Sequence, residues 1–235
     1  MLAPTTAGPY RLKAKREIPP QGGLGGSAGA IVGGLVAANT AFQLGHDDRA
    51  LLHRAAELEG HADNVAAALL GQFVVTVRTD EEIYTAQVPF PDEIGITLVV
   101  PSYRVSTSRA RLVLPTTVTL EDAVSNLGRA SILLAALQTG QYELLAVATQ
   151  DLLHQPYRAE LNPVLLPCVQ AAMDKGAYGS ALSGSGPTVI AFAPQDHIMR
   201  VAGAMADASV DAGFGCETYV VEVAAQGPIA SDATK

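Results

Sequence analysis

The sequence predicts an α+β fold built in two halves, and three observations support this prediction. Several long segments repeat apolar residues at helical spacing, while shorter runs alternate or stay apolar throughout, as strands do. Pro89-Phe90-Pro91-Asp92 separates the two halves, because such a proline cluster ends regular structure. We therefore predict two domains, at residues 1–91 and 92–235.

The first half begins with a predicted strand and two helices. Residues 10–18 alternate between apolar and polar side chains, as a strand does, and residues 28–44 have helical spacing. The inward stripe of this first helix would be Ile31, Leu35, Ala38 and Phe42. A second helix would be capped by Asp47 or Asp48 and ended by Gly60. Its inward residues would be Leu51, Ala55 and Leu58.

The remaining elements follow in order. We predict a short helix at 65–70, and a hairpin in which residues 72–77 pair with 83–88. Residues 96–101 form an apolar run typical of a buried strand. Helices are expected near 119–138, 142–154, 163–175 and 195–211, and strands at 177–182, 188–192 and 217–223. The tail after Ala225 is expected to fray.

The amino-acid composition limits the classes of protein to which this chain can belong. Of the 235 residues 49% are hydrophobic and 16% are charged, which predicts a globular protein. The net charge of −8 argues against a nucleic-acid or anionic-membrane partner, though not against a local positive pocket. Cys168 and Cys216 are far apart and match no metal spacing, so we expect a reduced, cytoplasmic protein.

The interval between Glu17 and Asp47 has no Asp, Glu, Lys or Arg, which raises the alternative of a membrane span. Two prolines, many glycines and few large apolar side chains argue against that alternative.

Pro19 to Gly29 form a glycine-rich stretch, the first glycine loop, that leads directly into the first predicted helix. Glycines let backbone N–H groups approach a ligand, and a helix N-terminus adds unpaired N–H groups and a positive dipole end. This combination is typical of a phosphate site, but a plain turn before a packed helix explains it equally well. The Lys-Ser/Thr ending of the Walker loop is absent, so a phosphate binder of another kind is expected.

Four further stretches contain polar side chains or glycines that could form a site. Glu59 to Asn64, the polar turn, places a carboxylate at a helix end, where Glu59 and Ser27 could hold Mg²⁺ or where Glu59 could be a surface residue. Arginines next to hydroxyl or amide groups in 105–111 and 154–158 suit a carboxylate or phosphate, or are solvated. Ser183 to Pro187, the second glycine loop, is a tight turn or another wall of a pocket.

Five elements in this order resemble the homoserine kinases of the GHMP small-molecule kinase family. The family pattern Pro-x-x-x-Gly-Leu-Gly-Ser-Ser-Ala matches Pro19 to Ala28, with Gly26 in place of the first serine. Glu-Gly-His-Pro-Asp-Asn matches Glu59 to Asn64, with Ala62 in place of proline. The three other elements are Ser-Thr-x-x-Ala-Arg at 106–111, His-Gln-x-Tyr-Arg at 154–158 and Leu-Ser-Gly-x-Gly-Pro-Thr at 182–188.

The resemblance implies ATP-dependent phosphorylation of L-homoserine, on the threonine pathway, by a fold with a ribosomal-S5-like first half and a ferredoxin-like second half. The resemblance is also compatible with a homodimer. ATP would contact Pro19, Pro20, Gln21, Gly22, Gly23, Leu24, Gly25, Gly26, Ser27, Ala28, Gly29, Gly184, Ser185 and Gly186. Mg²⁺ would be held by Ser27 and Glu59. The substrate would contact His61, Asn64, Thr107, Arg111 and Arg158, and the catalytic residues would be Ser27, Glu59, Asn64 and Arg111.

One family motif, Pro-x-Thr-Ser-Ala-Asn-Leu-Gly-Pro-Gly-Phe-Asp, has only a faint counterpart at Ala3 to Pro9, at the wrong distance from the first glycine loop. We therefore expect the first half to be truncated and to lack an asparagine and an aspartate that contact substrate. Two alternatives stay open: a nucleotide-binding protein of this fold with impaired catalysis, and a kinase for another small alcohol.

Overall fold

The computed structural model describes residues 11–20 and 22–230, so the predicted phosphate contact Gln21 lies outside the described residues. The described chain folds into two compact units. The first unit comprises residues 11–19, 25–89 and 223–230, and the second comprises residue 20, residues 22–24 and residues 90–222. Helices and antiparallel strands occur in both units, which confirms the predicted α+β class.

In chain order, the helices and strands of the described residues are α1 (Gly26–Ala41), α2 (Asp48–Glu59), α3 (Asp63–Leu70), β1 (Phe73–Arg78), β2 (Ile83–Val88), β3 (Ile94–Pro101), α4 (Thr107–Leu112), α5 (Leu120–Thr139), α6 (Leu145–Ala148), α7 (Gln155–Ala159), α8 (Leu165–Asp174), β4 (Gly179–Leu182), β5 (Val189–Pro194), α9 (Ile198–Asp211) and β6 (Cys216–Val221). Short 3₁₀ turns, Tyr142–Leu144 and Gln195–His197, precede α6 and α9.

The first unit packs α1, α2 and α3 together beside the β1–β2 hairpin. Small side chains in its core let the helices approach closely; they include Ala28, Ala55, Ala56, Ala62 and Ala66. The predicted ends of α2 are confirmed: the Asp47 carboxylate accepts a hydrogen bond from Ala50 N (2.8 Å), and Gly60 is left-handed with φ 88°.

The second unit contains a four-stranded antiparallel sheet in the order β4-β5-β3-β6, with α8 and α9 packed against it. The predicted apolar run forms β3, which pairs with β5 on one side and β6 on the other and is buried along most of its length. Strand order and the β-α-β-β-α-β connection are those of a ferredoxin-like fold, as predicted.

Three predicted details of the first unit are wrong. Residues 11–18 form no strand, and Leu12 is 79% exposed, because neither sheet of the described chain offers this segment a hydrogen-bonding neighbour. Leu58 is 57% exposed, because α2 presents its Leu51, Leu52, Ala55 and Ala56 side to the core. The tail does not fray at Ala225, because Gln72 N donates to Ala224 O (2.7 Å) and Gly227 packs closely against Leu69 O.

The predicted helix at 142–154 ends early, at Ala148. It consists of a 3₁₀ turn and α6, after which the chain turns and begins α7 at Gln155. The carboxylate of Asp151 causes the break, because it accepts hydrogen bonds from His154 N and Gln155 N, both at 2.6 Å. No helix in the described ranges is long and apolar enough to span a membrane.

Candidate active site

The first glycine loop enters α1 through Gly25, whose φ of 69° places it in the left-handed region. Gly29 N donates to Gly25 O (2.9 Å), which closes the first helical turn. Within the described chain no side chain caps this helix, so the N–H groups of its first turn have no side-chain acceptor there. A 16-residue helix that begins in this way can bind an anion at its N-terminus.

Ser27 and Glu59, the two predicted metal ligands, are brought together in the first unit. Ser27 Oγ donates to Glu59 Oε2 at 2.7 Å, although the residues are 32 positions apart. Glu59 is the last residue of α2, and its side chain is only 12% exposed. One carboxylate and one hydroxyl are a donor set that suits Mg²⁺ when phosphate oxygens and waters complete the octahedron.

The polar turn contributes two further predicted residues to the same region. Nε2 of His61 lies 3.9 Å from Glu59 Oε1, and its Nδ1 lies 2.7 Å from Asp63 Oδ1. Asn64 is in the first turn of α3, and its Oδ1 would lie 3.3 Å from a Cβ on Gly25. Among the described residues, no group of three or more His, Cys, Asp or Glu side chains could hold a metal ion.

The two glycine loops contact each other in the second unit. Gly23 O accepts a hydrogen bond from Ser183 Oγ (3.0 Å), and Gly22 O accepts one from Thr188 N (3.3 Å). A Cβ on Gly23, whose φ is 75°, would lie 2.2 Å from Ser183 O. Glycine is therefore required at this position, because any side chain would push the two backbones apart.

Arg111 and Arg158 lie near each other in the second unit. Arg158 Nε donates to Ala110 O in α4 (3.2 Å), and its Nη1 donates to Gly184 O in the second glycine loop (3.0 Å). Burial lowers the pKa of the Arg158 guanidinium, the Asp151 carboxylate opposes this effect, and the Arg111 charge adds to it. The two positive groups are thus within electrostatic range of each other.

Thr107 and Arg111 share one face of α4, because four residues make about one helical turn. Ser106 caps this helix by accepting a hydrogen bond from Arg109 N (3.2 Å). Thr107 Oγ1 lies 3.5 Å from Ser185 Oγ. The structure therefore brings α4, α7 and the second glycine loop together around one cationic patch.

Comparisons with known proteins show which family the chain belongs to. Residues 2–72 match the model of the GHMP kinases N terminal domain, and residues 133–211 match the model of the GHMP kinases C terminal domain. The chain is 46% identical over 191 residues to homoserine kinase from Caldanaerobacter subterraneus subsp. tengcongensis, covering 81% of this chain and 61% of that protein. It is 41% identical over 216 residues to homoserine kinase from Desulfitobacterium hafniense, covering 92% and 73%.

Solved structures give the same result. The crystal structure of homoserine kinase from Cytophaga hutchinsonii superposes with a TM-score of 0.84 at 33% identity, covering 90% of this chain and 69% of that one. This chain belongs to the homoserine kinase family of GHMP kinases. Mevalonate kinase from L. major, at 20% identity and a TM-score of 0.65, shares the fold alone. The matched stretch spans only about three fifths of the Caldanaerobacter protein.

In this chain, two residues that the sequence reasoning missed, Asp151 and Asn126, fix the start of α7, the helix that carries Arg158. Asp151 Oδ1 accepts a hydrogen bond from Asn126 Nδ2 (2.7 Å), and Asp151 also binds the first N–H groups of α7. Burial raises the pKa of the Asp151 carboxyl, but the hydrogen bonds it accepts outweigh burial and hold that pKa below its usual value. An aspartate three residues before His154 was the available signal.

Proposed function

We propose that this chain transfers the γ-phosphoryl group of ATP to the hydroxyl of L-homoserine, releasing ADP and O-phospho-L-homoserine. The observation that carries the choice of substrate is the pair Arg111 and Arg158. Two guanidinium groups on adjacent helices suit one carboxylate, which an amino acid presents and a sugar does not. The homoserine kinase relatives support the same substrate.

ATP would bind at the two glycine loops, since GHMP kinases are ATP-using kinases. The backbone of residues 19–29 and of Gly184, Ser185 and Gly186 would bind the phosphates, helped by the N-terminus of α1. Ser27 and Glu59 would hold Mg²⁺. When bound, this ion neutralises charge that develops on the phosphoryl oxygens. The Ser27–Glu59 contact supports the assignment, because a carboxylate at the C-terminal end of a helix is stabilised by a nearby cation.

The remaining polar residues would orient the substrate. Thr107 would donate or accept a hydrogen bond beside the carboxylate, and His61 and Asn64 would contact the amino-alcohol part. Asp63 holds the ring of His61 through Nδ1, which leaves Nε2 free to turn toward Glu59 or a ligand. Positioning of this kind supplies much of the rate enhancement in phosphoryl transfer.

A direct assay tests the function. The full chain is incubated with ATP, Mg²⁺ and L-homoserine, and ³¹P NMR follows the phosphate monoester. We expect a new monoester signal and equimolar ADP, and no monoester when 1-propanol replaces homoserine. ATP binding without any phosphoryl transfer would favour the non-catalytic alternative, and a monoester formed only from another alcohol would refute the choice of homoserine.

Two further expectations accompany this function. Both cysteines are free thiols, which supports a cytoplasmic location. The homodimer remains a prediction, which sedimentation velocity at micromolar chain concentration would test.

A further inference from the structure

Arg158 lies on α7, a helix that is too short to be stable without contacts to other parts of the chain. α7 has five residues, far fewer than an isolated helix needs for stability in water. The guanidinium of Arg158 reaches α4 and the second glycine loop only if this short helix stays in place. Contacts outside α7 must therefore fix it.

Asp151 provides the main anchor. Its side chain is 8% exposed, and Oδ2 accepts hydrogen bonds from both His154 N and Gln155 N at 2.6 Å. Hydrogen bonds to an ionised carboxylate are short and strong, as these are. The carboxylate thus pairs two N–H groups at the start of α7 that no helical carbonyl could satisfy.

Asn126, on α5, fixes the Asp151 carboxylate by a hydrogen bond. Its Nδ2 donates to Asp151 Oδ1 (2.7 Å), and its Oδ1 accepts from Leu152 N (2.9 Å). One amide side chain therefore fixes both the carboxylate and the chain beside it. A 20-residue helix, α5, supplies a rigid base for the turn.

Gln155 extends the same network toward the second glycine loop. Its Nε2 donates to Thr149 O (3.0 Å), and its Oε1 accepts from Leu182 N (2.8 Å), one residue before that loop. Arg158 then contacts Gly184 O within the loop. The start of α7 and the backbone that Arg158 contacts are consequently fixed by one connected set of hydrogen bonds.

The charge of Asp151 acts on Arg158 as well. Arg111 and Arg158 repel each other, and the negative charge of Asp151 opposes that effect on Arg158. We propose that Asp151, held by Asn126, is a positioning residue for the substrate carboxylate: it fixes Arg158 and offsets its repulsion from Arg111. This inference rests on the proposed function, because it assumes that the two arginines bind that carboxylate.

The variants Asp151→Asn and Asn126→Ala test the inference. Asp151→Asn keeps an oxygen acceptor and removes the charge, and Asn126→Ala removes the support. We expect each to raise the homoserine KM by about tenfold, the effect of weakening a hydrogen-bonded charge contact, with the ATP KM within about twofold. Asp47→Asn is the matched control, since Asp47 caps α2 through Ala50 N, and it should leave both KM values unchanged.

A double variant distinguishes positioning from a general structural effect. If Asp151 acts through Arg158, Asp151→Asn should change the homoserine KM by less than about twofold once Arg158 is already alanine. Full additivity of the two substitutions would overturn the proposal, as would an equal rise of both KM values in Asp151→Asn.

Hydrogen exchange tests the same anchor without relying on activity. Arg158 N donates to His154 O (3.0 Å), so its exchange rate reports whether α7 is formed. We expect Asp151→Asn to speed exchange of this amide by about tenfold or more, while the Ala50 amide in α2 stays protected. An unchanged Arg158 amide would overturn the proposal. If Asp151→Asn speeds exchange of the Arg158 amide but the parent chain neither binds nor phosphorylates homoserine, the anchor of α7 stands and the proposed function is refuted.

Discussion

At the scale of single residues, the contact between Ser27 and Glu59 is the most informative one in the first unit. A carboxylate that is 12% exposed stands at the C-terminal end of α2, where the helix dipole disfavours negative charge. The Glu59 carboxylate accepts a hydrogen bond from Ser27. A divalent cation held by these two residues would offset the unfavourable dipole further, which is the basis of the first prediction.

We expect Glu59→Gln to reduce kcat by about a hundredfold or more, because the amide keeps the shape but no longer holds Mg²⁺. Initial rates measured across a Mg²⁺ titration check this. Glu57→Gln is the control, since Glu57 is on the same helix, 59% exposed and paired with Arg54. Equal Mg²⁺ dependence in parent and Glu59→Gln would show that Glu59 is not a metal ligand.

Arg158 supports a second prediction at this scale. Under the proposed function, Arg158→Ala leaves only Arg111 to bind the substrate carboxylate, so the homoserine KM should rise by about ten- to a thousandfold. The ATP KM should change little. Arg109→Ala is the control, because Arg109 is exposed and leaves α4 on the side opposite to Thr107 and Arg111. If Arg158→Ala weakens ATP and homoserine equally, the residue is a phosphate clamp or a structural arginine instead.

At the scale of elements, the two glycine loops, which we propose bind the ATP phosphates, are in close contact in the second unit. Gly23 and the backbone of Ser183 approach so closely that a Cβ has no room. The loops share hydrogen bonds through Ser183 Oγ and Thr188 N. A change in one loop must therefore move the other.

Gly23→Ala should lower both the melting temperature and the ATP affinity. The added Cβ would lie 2.2 Å from Ser183 O, and φ at this residue is 75°, so overlap and backbone strain both act. Differential scanning fluorimetry with and without ATP measures the two effects. Gly33→Ala is the matched control: it lies in α1 with open space around it and should stabilise the chain by up to about 1 kcal/mol.

At the scale of the whole molecule, Asp151 and His154 make the free energy of unfolding depend on pH in the same direction. Hydrogen bonding holds the pKa of Asp151 below its usual 3.8 despite burial. Burial lowers the pKa of His154 below 6.5, although Asp151 opposes this shift. In both cases the folded chain binds fewer protons than the unfolded chain, so stability rises with pH.

The fourth prediction follows from these signs. The stability due to His154 is fully present above pH 6.5 and is lost as the pH falls through its folded pKa. That due to Asp151 is lost at lower pH, beginning below 3.8. Urea unfolding at pH 7.5, 5.5 and 3.5 should show that His154→Gln loses less stability than the parent between the first two values. A larger loss in His154→Gln than in the parent would contradict the sign.

Elements with strong local signals were predicted well. Asp47 and Gly60 mark the two ends of α2, and the β1–β2 hairpin and the buried strand β3 lie close to their predicted positions. Capping, turn chemistry and apolar runs act over a few residues, so the sequence contains all the information they need. The strand prediction for residues 11–18 was wrong for the opposite reason, because a strand depends on a hydrogen-bonding neighbour elsewhere in the chain.

The candidate site shows the same difference between features set by local sequence and features set by long-range contacts. The sequence alone determined the α+β class, the family, and which glycine, acidic and arginine stretches hold the polar groups, because these are matters of local pattern and order. Only the tertiary structure decided that Ser183 donates a hydrogen bond to Gly23 across 160 positions and that Asn126 and Asp151 fix the start of the helix that carries Arg158. The physical reason is sequence separation. Capping, turn and periodicity signals depend on residues within one or two helical turns of each other. The contacts named here form only after packing brings distant segments within hydrogen-bond distance.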